Sequence, residues 1–254
     1  MLLATWNVNG IRAVARKGCL PTRLLSRADV ICLQETKAHP DQLDAELREP
    51  PGYRGFWFSS VRKGYSGTAL LTRERPDDVI YGMGKKLFDD EARVLAARFG
   101  ELVVISAYFP NSQERGARLS YKLSFCRALE AYLQGWLDQG CFTVLLGDYN
   151  IAHEPIDLAR PKQNEKNPGY LPEERSWMTR YLKLGFCDVF RERNPELEGA
   201  YTWWTMRTNA RERNIGWRLD YATVSENMID AVTDVRIHPE ISGSDHCPVS
   251  IRLG

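Results

Sequence analysis

"FTVLLGDYN", residues 142–150, reads as a strand with two apolar faces until it reaches Asp148 and Asn150. A short, unbroken apolar run bounded by turn residues fits a strand covered on both sides. An acid at the mouth of such a strand lies close to the core, where a carboxylate is costly unless something pairs with it. The same ending recurs along the chain. "LLATWN" (2–7) closes on Asn7, "VICLQE" (30–35) on Glu35, and "LVVISAYFP" (102–110) carries Tyr108 near its end. "RLDYATV" (218–224) opens near Asp220, and "HCPVSIRL" (246–253) opens on Asp245 and His246. In that last segment Cys247, Val249, Ile251 and Leu253 alternate with Pro248, Ser250 and Arg252. Period-2 alternation marks one buried face, and Asp245 has the parity of that face.

The remaining strand candidates are "GTALLTR" (67–73) and the shorter segments 55–60, 94–99 and 233–237. Helices are expected at 21–27, 40–48, 115–138 and 172–184; the third spaces Leu119, Leu123, Cys126, Leu129, Leu133 and Trp136 along one face. Strands outnumber helices and follow one another closely, which fits hairpins of mixed sheets better than regular βαβ winding. We expect a single α/β domain over residues 1–254. Its two mixed β-sheets pack face to face with helices outside, four layers in all.

The chain's 254 residues suffice for one large domain, and 43% hydrophobic with 26% charged residues is ordinary for a globular protein. No apolar run approaches the ~20 residues of a membrane span, and "MLLATWNVNG" lacks the basic start of a signal peptide. The six cysteines (19, 32, 126, 141, 187 and 247) show no zinc spacing and read as buried, reduced thiols of a cytoplasmic protein. A net charge of +1 gives no overall pull on polyanions, so nucleic-acid binding needs a local patch.

Residues 201–221, "YTWWTMRTNARERNIGWRLDY", supply one candidate patch. They set Arg207, Arg211, Arg213 and Arg218 against Glu212 and Asp220, and they hold Trp203, Trp204 and Trp217. Basic side chains interleaved with aromatics suit a backbone track beside a stacking or apolar pocket, although tryptophans also serve as core. A second stretch, Arg12, Arg16, Lys17 and Arg23, fits a grip on the other strand and a solvated face equally well.

One acid at a strand end reads as part of a solvated rim. Glu35, Asp148, Asp220 and Asp245, joined by Asn7, Asn150, Tyr108 and His246, read instead as one shared edge. Carboxylates ~5 Å apart repel by about 3 kcal/mol per pair at an effective dielectric near 20. A divalent cation or strongly raised pKa values must relieve that repulsion. Oxygen donors without a thiolate cluster favour Mg²⁺, with Mn²⁺ as a substitute, over Zn²⁺. His39, His153 and His238 have no comparable setting and read as surface or structural.

Six stretches carry a resemblance: "TWNVNGIRA", "LQETK", "YFPN", "GDYNIAHEPIDL", "WWT…NARERNIGWRLDY" and "GSDHCPV". In this order they resemble the motifs of the exonuclease III family of apurinic/apyrimidinic endonucleases, over residues 3–252 or nearly so. The resemblance implies a DNase I-like two-sheet sandwich and Mg²⁺-dependent cleavage of the phosphodiester 5′ to an abasic site in duplex DNA. It also implies activity at 3′ ends: 3′→5′ exonuclease, 3′-phosphatase and 3′-phosphodiesterase. Carried over by position, Glu35 is the main metal carboxylate and Asp245 a second ligand close by. Asn7, Asp148 and Asn150 complete the metal-side network. Asp148 activates water or protonates the leaving oxygen, Asn150 holds that water or a phosphate oxygen, and Tyr108 contacts the phosphate. His246 donates to a non-bridging oxygen with Asp220 behind it. Trp203, Trp217 and Leu219 surround a flipped-out, base-less sugar, and Arg207 is the candidate wedge into the duplex.

Two departures bear on this expectation. Asn9 stands where some members have Asp, which removes one carboxylate from any second metal site, and "YFPNSQER" places Gln113 and Glu114 where some members insert an arginine. Because the chain opens at the first motif, no N-terminal regulatory extension is expected, and a monomer is expected for a family that grips one duplex. Two other readings compete: a lipid or inositol phosphate hydrolase on the same fold, and a binding module without catalysis. The Arg/Trp stretch disfavours the first, and intact Glu35, Asp148, Asp220 and His246 disfavour the second.

Overall fold

A computed structural model describes residues 1–18 and 27–254 of the chain. Cys19, Arg23 and all but the last residue of the helix expected over 21–27 lie outside the described residues. Among the described residues, twelve strands form two six-stranded sheets. The first sheet runs β11(Val232–Ile237)–β12(Val249–Leu253)–β1(Leu2–Asn7)–β2(Val30–Gln34)–β4(Thr68–Thr72)–β3(Arg54–Phe58). The second runs β5(Asp78–Tyr81)–β6(Val94–Phe99)–β7(Leu102–Tyr108)–β8(Phe142–Asp148)–β10(Asp220–Ser225)–β9(Phe186–Asp188). Each sheet has one parallel pair, β1 with β2 and β7 with β8, and is otherwise antiparallel. Parallel neighbours require a crossover, and helices occupy both: α1 (Ile11–Arg16) follows β1, and α2 (Leu119–Asp138) joins β7 to β8.

Three apolar layers account for the packing. Leu3, Val30, Cys32 and Leu70 of the first sheet meet Leu95, Val104, Val144, Leu146 and Val224 of the second. The outer face of the first sheet buries Trp6, Ile31 and Leu33 against Ile11 and Val14 of α1. The outer face of the second buries Val103, Ile105 and Leu145 under α2 and α3 (Pro172–Leu182), with Trp177 and Tyr181 stacked at 5.2 Å. This is the expected four-layer arrangement of mixed sheets with helices outside.

The inter-sheet layer changes character along its length, and this positions the site. Leu3, Val104 and Val144 give way to Thr5, Ser106 and Leu146, and then to Asn7, Tyr108 and Asp148. Midway a hydrogen bond joins the sheets, Gln34 Nε2 donating to Ser106 Oγ at 2.9 Å, while Gln34 Oε1 accepts from Thr5 Oγ1 of its own sheet at 3.1 Å. The carboxyl ends of β1, β2, β7 and β8 and the start of antiparallel β10 meet at one edge, because Tyr108 and Asp220 both pair in register with Asp148. Gly147 permits the approach: a Cβ there, at φ 155°, would lie 1.9 Å from the Ala107 carbonyl oxygen.

Most expected elements lie within a few residues of their observed bounds, while α1 and the short helices Lys86–Asp89, Pro161–Asn164 and Val189–Arg193 are not among those expected and further segments differ. The segment 40–48 is a 3-10 turn, Pro40–Gln42, then a single helical turn, Ala45–Arg48. Asp44 separates them, accepting from Leu47 N at 2.8 Å as an N-cap instead of continuing a helix. The 3-residue and 4-residue edge strands β9 and β5 are too short to show a period. The last strand begins at Val249, since Pro248 has no N–H for the ladder. Residues 245–247 join the 202–204 segment instead: Trp204 N donates to Asp245 O at 3.0 Å and Cys247 N to Thr202 O at 2.8 Å. The alternation argument therefore does not apply to Asp245. Cys32, Cys126, Cys141 and Cys247 are buried free thiols, and Cys187 is half-buried.

Candidate active site

Asn7, Tyr108, Asp148 and Asp220 reach the shared edge by strand parity, but Glu35 does not. Its parity follows Ile31 and Leu33, which face α1. Glu35 lies one residue past β2 with φ 50°, and this left-handed turn redirects its carboxylate into the mouth between the sheets. Asn9, Lys37 and Asn150 are also left-handed, with φ of 44°, 50° and 51°. Such conformations cost of order 1 kcal/mol each outside glycine and persist only where surroundings fix them. Here backbone bonds do so: Gly10 N donates to Glu35 O at 2.8 Å, Thr36 N to Gly67 O at 3.2 Å and Lys37 N to Ser66 O at 2.9 Å.

Asn7 cross-links the acids. Its Nδ2 donates to Glu35 Oε1 at 3.0 Å and Asp148 Oδ2 at 2.8 Å, while its oxygen accepts from Asn9 N at 2.9 Å. Asp148 also accepts from Asn150 N at 2.8 Å and Asn150 Nδ2 at 3.1 Å. Both amides thus present hydrogen to the acids, where the sequence reading grouped them with metal ligands. His246 Nδ1 lies 2.8 Å from Asp220 Oδ2, and its Nε2 lies 3.9 Å from Asp148 Oδ2. Asp245 accepts from Asn9 Nδ2 at 2.9 Å and from Trp203 Nε1 at 3.1 Å. The Arg93 guanidinium stacks 4.7 Å from the Tyr108 ring and donates to Tyr108 O at 3.1 Å.

Burial and mutual repulsion set the charges. Burial is the main force on Asp148, reinforced by Asp220 and Glu35; it outweighs the attraction of His246 and pushes the carboxyl up to about 7. Burial opposes the His246 imidazolium, but Asp220 and Asp148 overcome it and raise the ring to about 10, so the imidazolium persists at neutral pH. For Glu35, burial is outweighed by Lys37, whose Nζ lies 2.7 Å from Oε2, and by the Asn7 hydrogen bond, so its pKa is lowered. For Asp245, burial is outweighed by His246 and by the Asn9 and Trp203 hydrogen bonds, again lowering it. Burial, then Glu35, holds the Tyr108 phenol well above its ordinary range, so it stays a neutral donor.

Ligand atoms of Glu35, Asp148 and His246 lie within 4.8 Å of one another, a candidate metal cluster. A protonated His246 offers no lone pair, so the donors left in this cluster are the oxygens of Glu35 and Asp148, with Asp245 lining the same cavity. That set suits a hard divalent ion. The acids open on a cavity of about 300 Å³ whose other wall is Gly169, Trp203, Trp217 and Leu219. The Trp203 and Trp217 rings stand perpendicular, 6.2 Å apart, on a small apolar cluster with Ala152 and Tyr170.

Half of the expected basic track is structural. Arg218 is buried, with Nε 2.9 Å from Asp157 Oδ1 and Nη2 2.7 Å from Asp188 Oδ2. Its neighbours Trp217 and Leu219 face the cavity, so alternation sends the arginine inward. Arg211 donates to the carbonyls of Ser244, Pro239 and Ile241 and stacks over buried Trp204 at 4.7 Å. Arg207 lies with 77%-exposed Met206 on an exposed turn and is absent from the cavity wall. Asn111, Asn167 and Pro168 do line the cavity, and the sequence reading did not single them out, although Asn111 closes "YFPN". Of the other histidines, His153 Nε2 lies 2.8 Å from Thr179 Oγ1 and His238 Nε2 2.8 Å from Ser250 Oγ, both structural settings.

The chain is 45% identical over 252 residues to an exodeoxyribonuclease of Bacillus subtilis, covering 99% of this chain and 98% of that protein. It is 42% identical over 255 residues to the DNA repair nuclease APEX1 of Danio rerio, covering 100% of this chain and 82% of that one. Its fold superposes on an AP endonuclease of Archaeoglobus fulgidus with a TM-score of 0.88 and 30% identity, covering 100% and 99% of the two chains. The pattern of one family matches residues 4–246. The chain belongs to the endonuclease/exonuclease/phosphatase family, whose hydrolytic nucleases share this sandwich of two sheets.

Proposed function

We propose that the protein is a DNA repair nuclease that hydrolyses the phosphodiester 5′ to an abasic site. The observation that carries this reading is the junction of two unlike walls: anion-handling groups beside an apolar slot of about 300 Å³. That volume is at the small end for ligand sites and suits a sugar bearing no base. A lipid or inositol phosphate would leave the Trp203–Trp217 wall without a purpose.

Glu35 and Asp245, with Asp148, would hold Mg²⁺, or Mn²⁺ in its place; bound there, the ion draws charge from phosphoryl oxygens as a Lewis acid. Asp148 takes the proton from the attacking water, its raised pKa matching that task. Asn150 orients the water or a phosphate oxygen. The His246 imidazolium donates to a non-bridging oxygen as charge accumulates, and Asp220 fixes its orientation. Tyr108 donates to the same phosphate. Trp203, Trp217 and Leu219 receive the extruded sugar, and Arg207 remains the candidate wedge. The same arrangement serves a 3′-terminal group, giving exonuclease, phosphatase and phosphodiesterase turnover. The protein acts as a cytoplasmic monomer on duplex DNA.

A labelled duplex with one abasic site, incubated with Mg²⁺, is expected to give a single cut on the 5′ side, lost on chelation and restored by Mn²⁺. An uncut duplex, or one cut equally well by Asp148→Asn, would reject the reading. As the base, Asp148 makes kcat/KM rise with pH on a limb at or below about 7, and His246 causes no fall until about 10. A rate that falls through the first limb would instead make Asp148 the acid.

A further inference from the structure

Lys122 and Glu174 are both fully buried, on α2 and in the first turn of α3, and none of their atoms lines the cavity. Their ion pair measures 2.8 Å. Replacing such a pair by apolar residues is often neutral or stabilising, so stability alone does not account for it. Its hydrogen bonds do. Lys122 Nζ donates to the Asn150 carbonyl oxygen at 2.6 Å. Glu174 Oε1 accepts from Ser112 Oγ at 2.6 Å, and Oε2 accepts from Gly169 N at 2.7 Å and Leu171 N at 2.9 Å.

These are three separate loops, and each delivers a residue to the cavity: Asn111 beside Ser112, Asn150 itself, and Gly169. Asn150 is the left-handed residue whose N–H and Nδ2 both contact Asp148, and its Oδ1 accepts from Asn111 Nδ2 at 3.0 Å. Gly169 sits so close that a Cβ would meet both the Asn150 oxygen and the Trp217 ring at 3.3 Å. We infer that Lys122–Glu174 is a positioning pair, a buried hub that holds the Asn111, Asn150 and Gly169 loops in mutual register. Through Asn150 it fixes how Asp148 meets the water, and through Gly169 the separation of the two walls. The inference rests on the reaction proposed above. A displacement of ~1 Å at such a site costs ~10²-fold in rate, so the hub acts on kcat without touching substrate.

The test compares wild type, Lys122→Met, the neutral double variant Lys122→Met/Glu174→Gln, and Ser112→Ala. Incision of an abasic duplex at saturating Mg²⁺ is measured with thermal stability. Expected is a kcat loss of ~10–100-fold in Lys122→Met, with KM within about threefold. The double variant regains most of the lost Tm but not the rate. Ser112→Ala, which strands no charge and keeps the fold, loses ~3–10-fold in kcat and decides the matter if the charge variants do not fold. Without substrate, amide exchange at residues 149–151 is faster in every folded variant. A double variant, or Ser112→Ala, with wild-type kcat would overturn the inference, as would a loss confined to KM or unchanged exchange. A wild-type protein that cuts nothing rejects the proposed function instead, and the exchange comparison still reads the hub.

Discussion

Two buried ionic clusters sit on either side of the 217–220 segment and behave in opposite ways. In one, Asp157 and Asp188 face Arg218 and Arg191, with ion pairs of 2.7–2.9 Å. In the other, among the described residues, Glu35, Asp148, Asp220 and Asp245 face His246 and Lys37. Burial raises the pKa of a carboxyl in both. The arginines outweigh burial at Asp157 and bring it down to about 2, whereas further acids add to burial at Asp148 and bring it up to about 7. The balanced cluster needs nothing more and anchors the loop carrying Trp217 and Leu219. The unbalanced cluster answers its repulsion in part by the raised pKa of Asp148, and it keeps oxygen donors available for a cation. An excess of buried acid, rather than burial of acid as such, distinguishes the site from the scaffold.

The largest break in this comparison is expected at Asp148. Asp148→Asn removes the base and with it ~10²–10⁴ of the incision rate, while relief of like charge leaves Tm unchanged or higher. A fall in Tm comparable to that of a core mutation would show that the unbalanced cluster is structural after all. Next comes Arg218→Met, which strands buried acids and should cost about 3–5 kcal/mol in urea unfolding. Incision per folded molecule stays near wild type. A rate loss without a stability loss would move Arg218 back into the substrate track.

The smallest effect is in pH. The folded pKa of Asp157 is depressed, to about 2, from an unfolded value near 3.9. Its contribution is therefore complete above pH ~4 and lost as pH falls towards 2. It amounts to about 3 kcal/mol, read as the part of the acid limb of stability that Asp157→Asn abolishes. An acid limb of the same depth in Asp157→Asn would assign that loss to other groups.

What could be read from the chain, and what could not, divides along the range of the forces. Strand identity, the polar tips of "LLATWN", "LVVISAY" and "FTVLLGD", and the helices at 119–138 and 172–182 follow from local periodicity, which hydrophobic burial imposes residue by residue. The need for a cation or for raised pKa values follows from the acid-tipped strands, because four acids near one histidine repel wherever they are brought together. Three features did not follow. Alternation at 246–253 gave the wrong reason for Asp245, because Pro248 ends the ladder and the 202–204 segment captures residues 245–247. Arg218 looked like a DNA contact, since "GWRLDY" does not reveal that Asp157 and Asp188 lie beneath it.

Glu35 is the clearest instance. Its sequence parity points it at α1, and a left-handed φ of 50° sends it to the site. Periodicity relates a side chain only to its own strand. Which strand ends share an edge, and which residues are forced left-handed there, is settled by backbone hydrogen bonds between segments far apart in the chain. By itself the sequence determined a two-sheet sandwich whose acid-tipped strands call for a cation or for raised pKa values; the tertiary structure decided which tips meet and which charges are already paired.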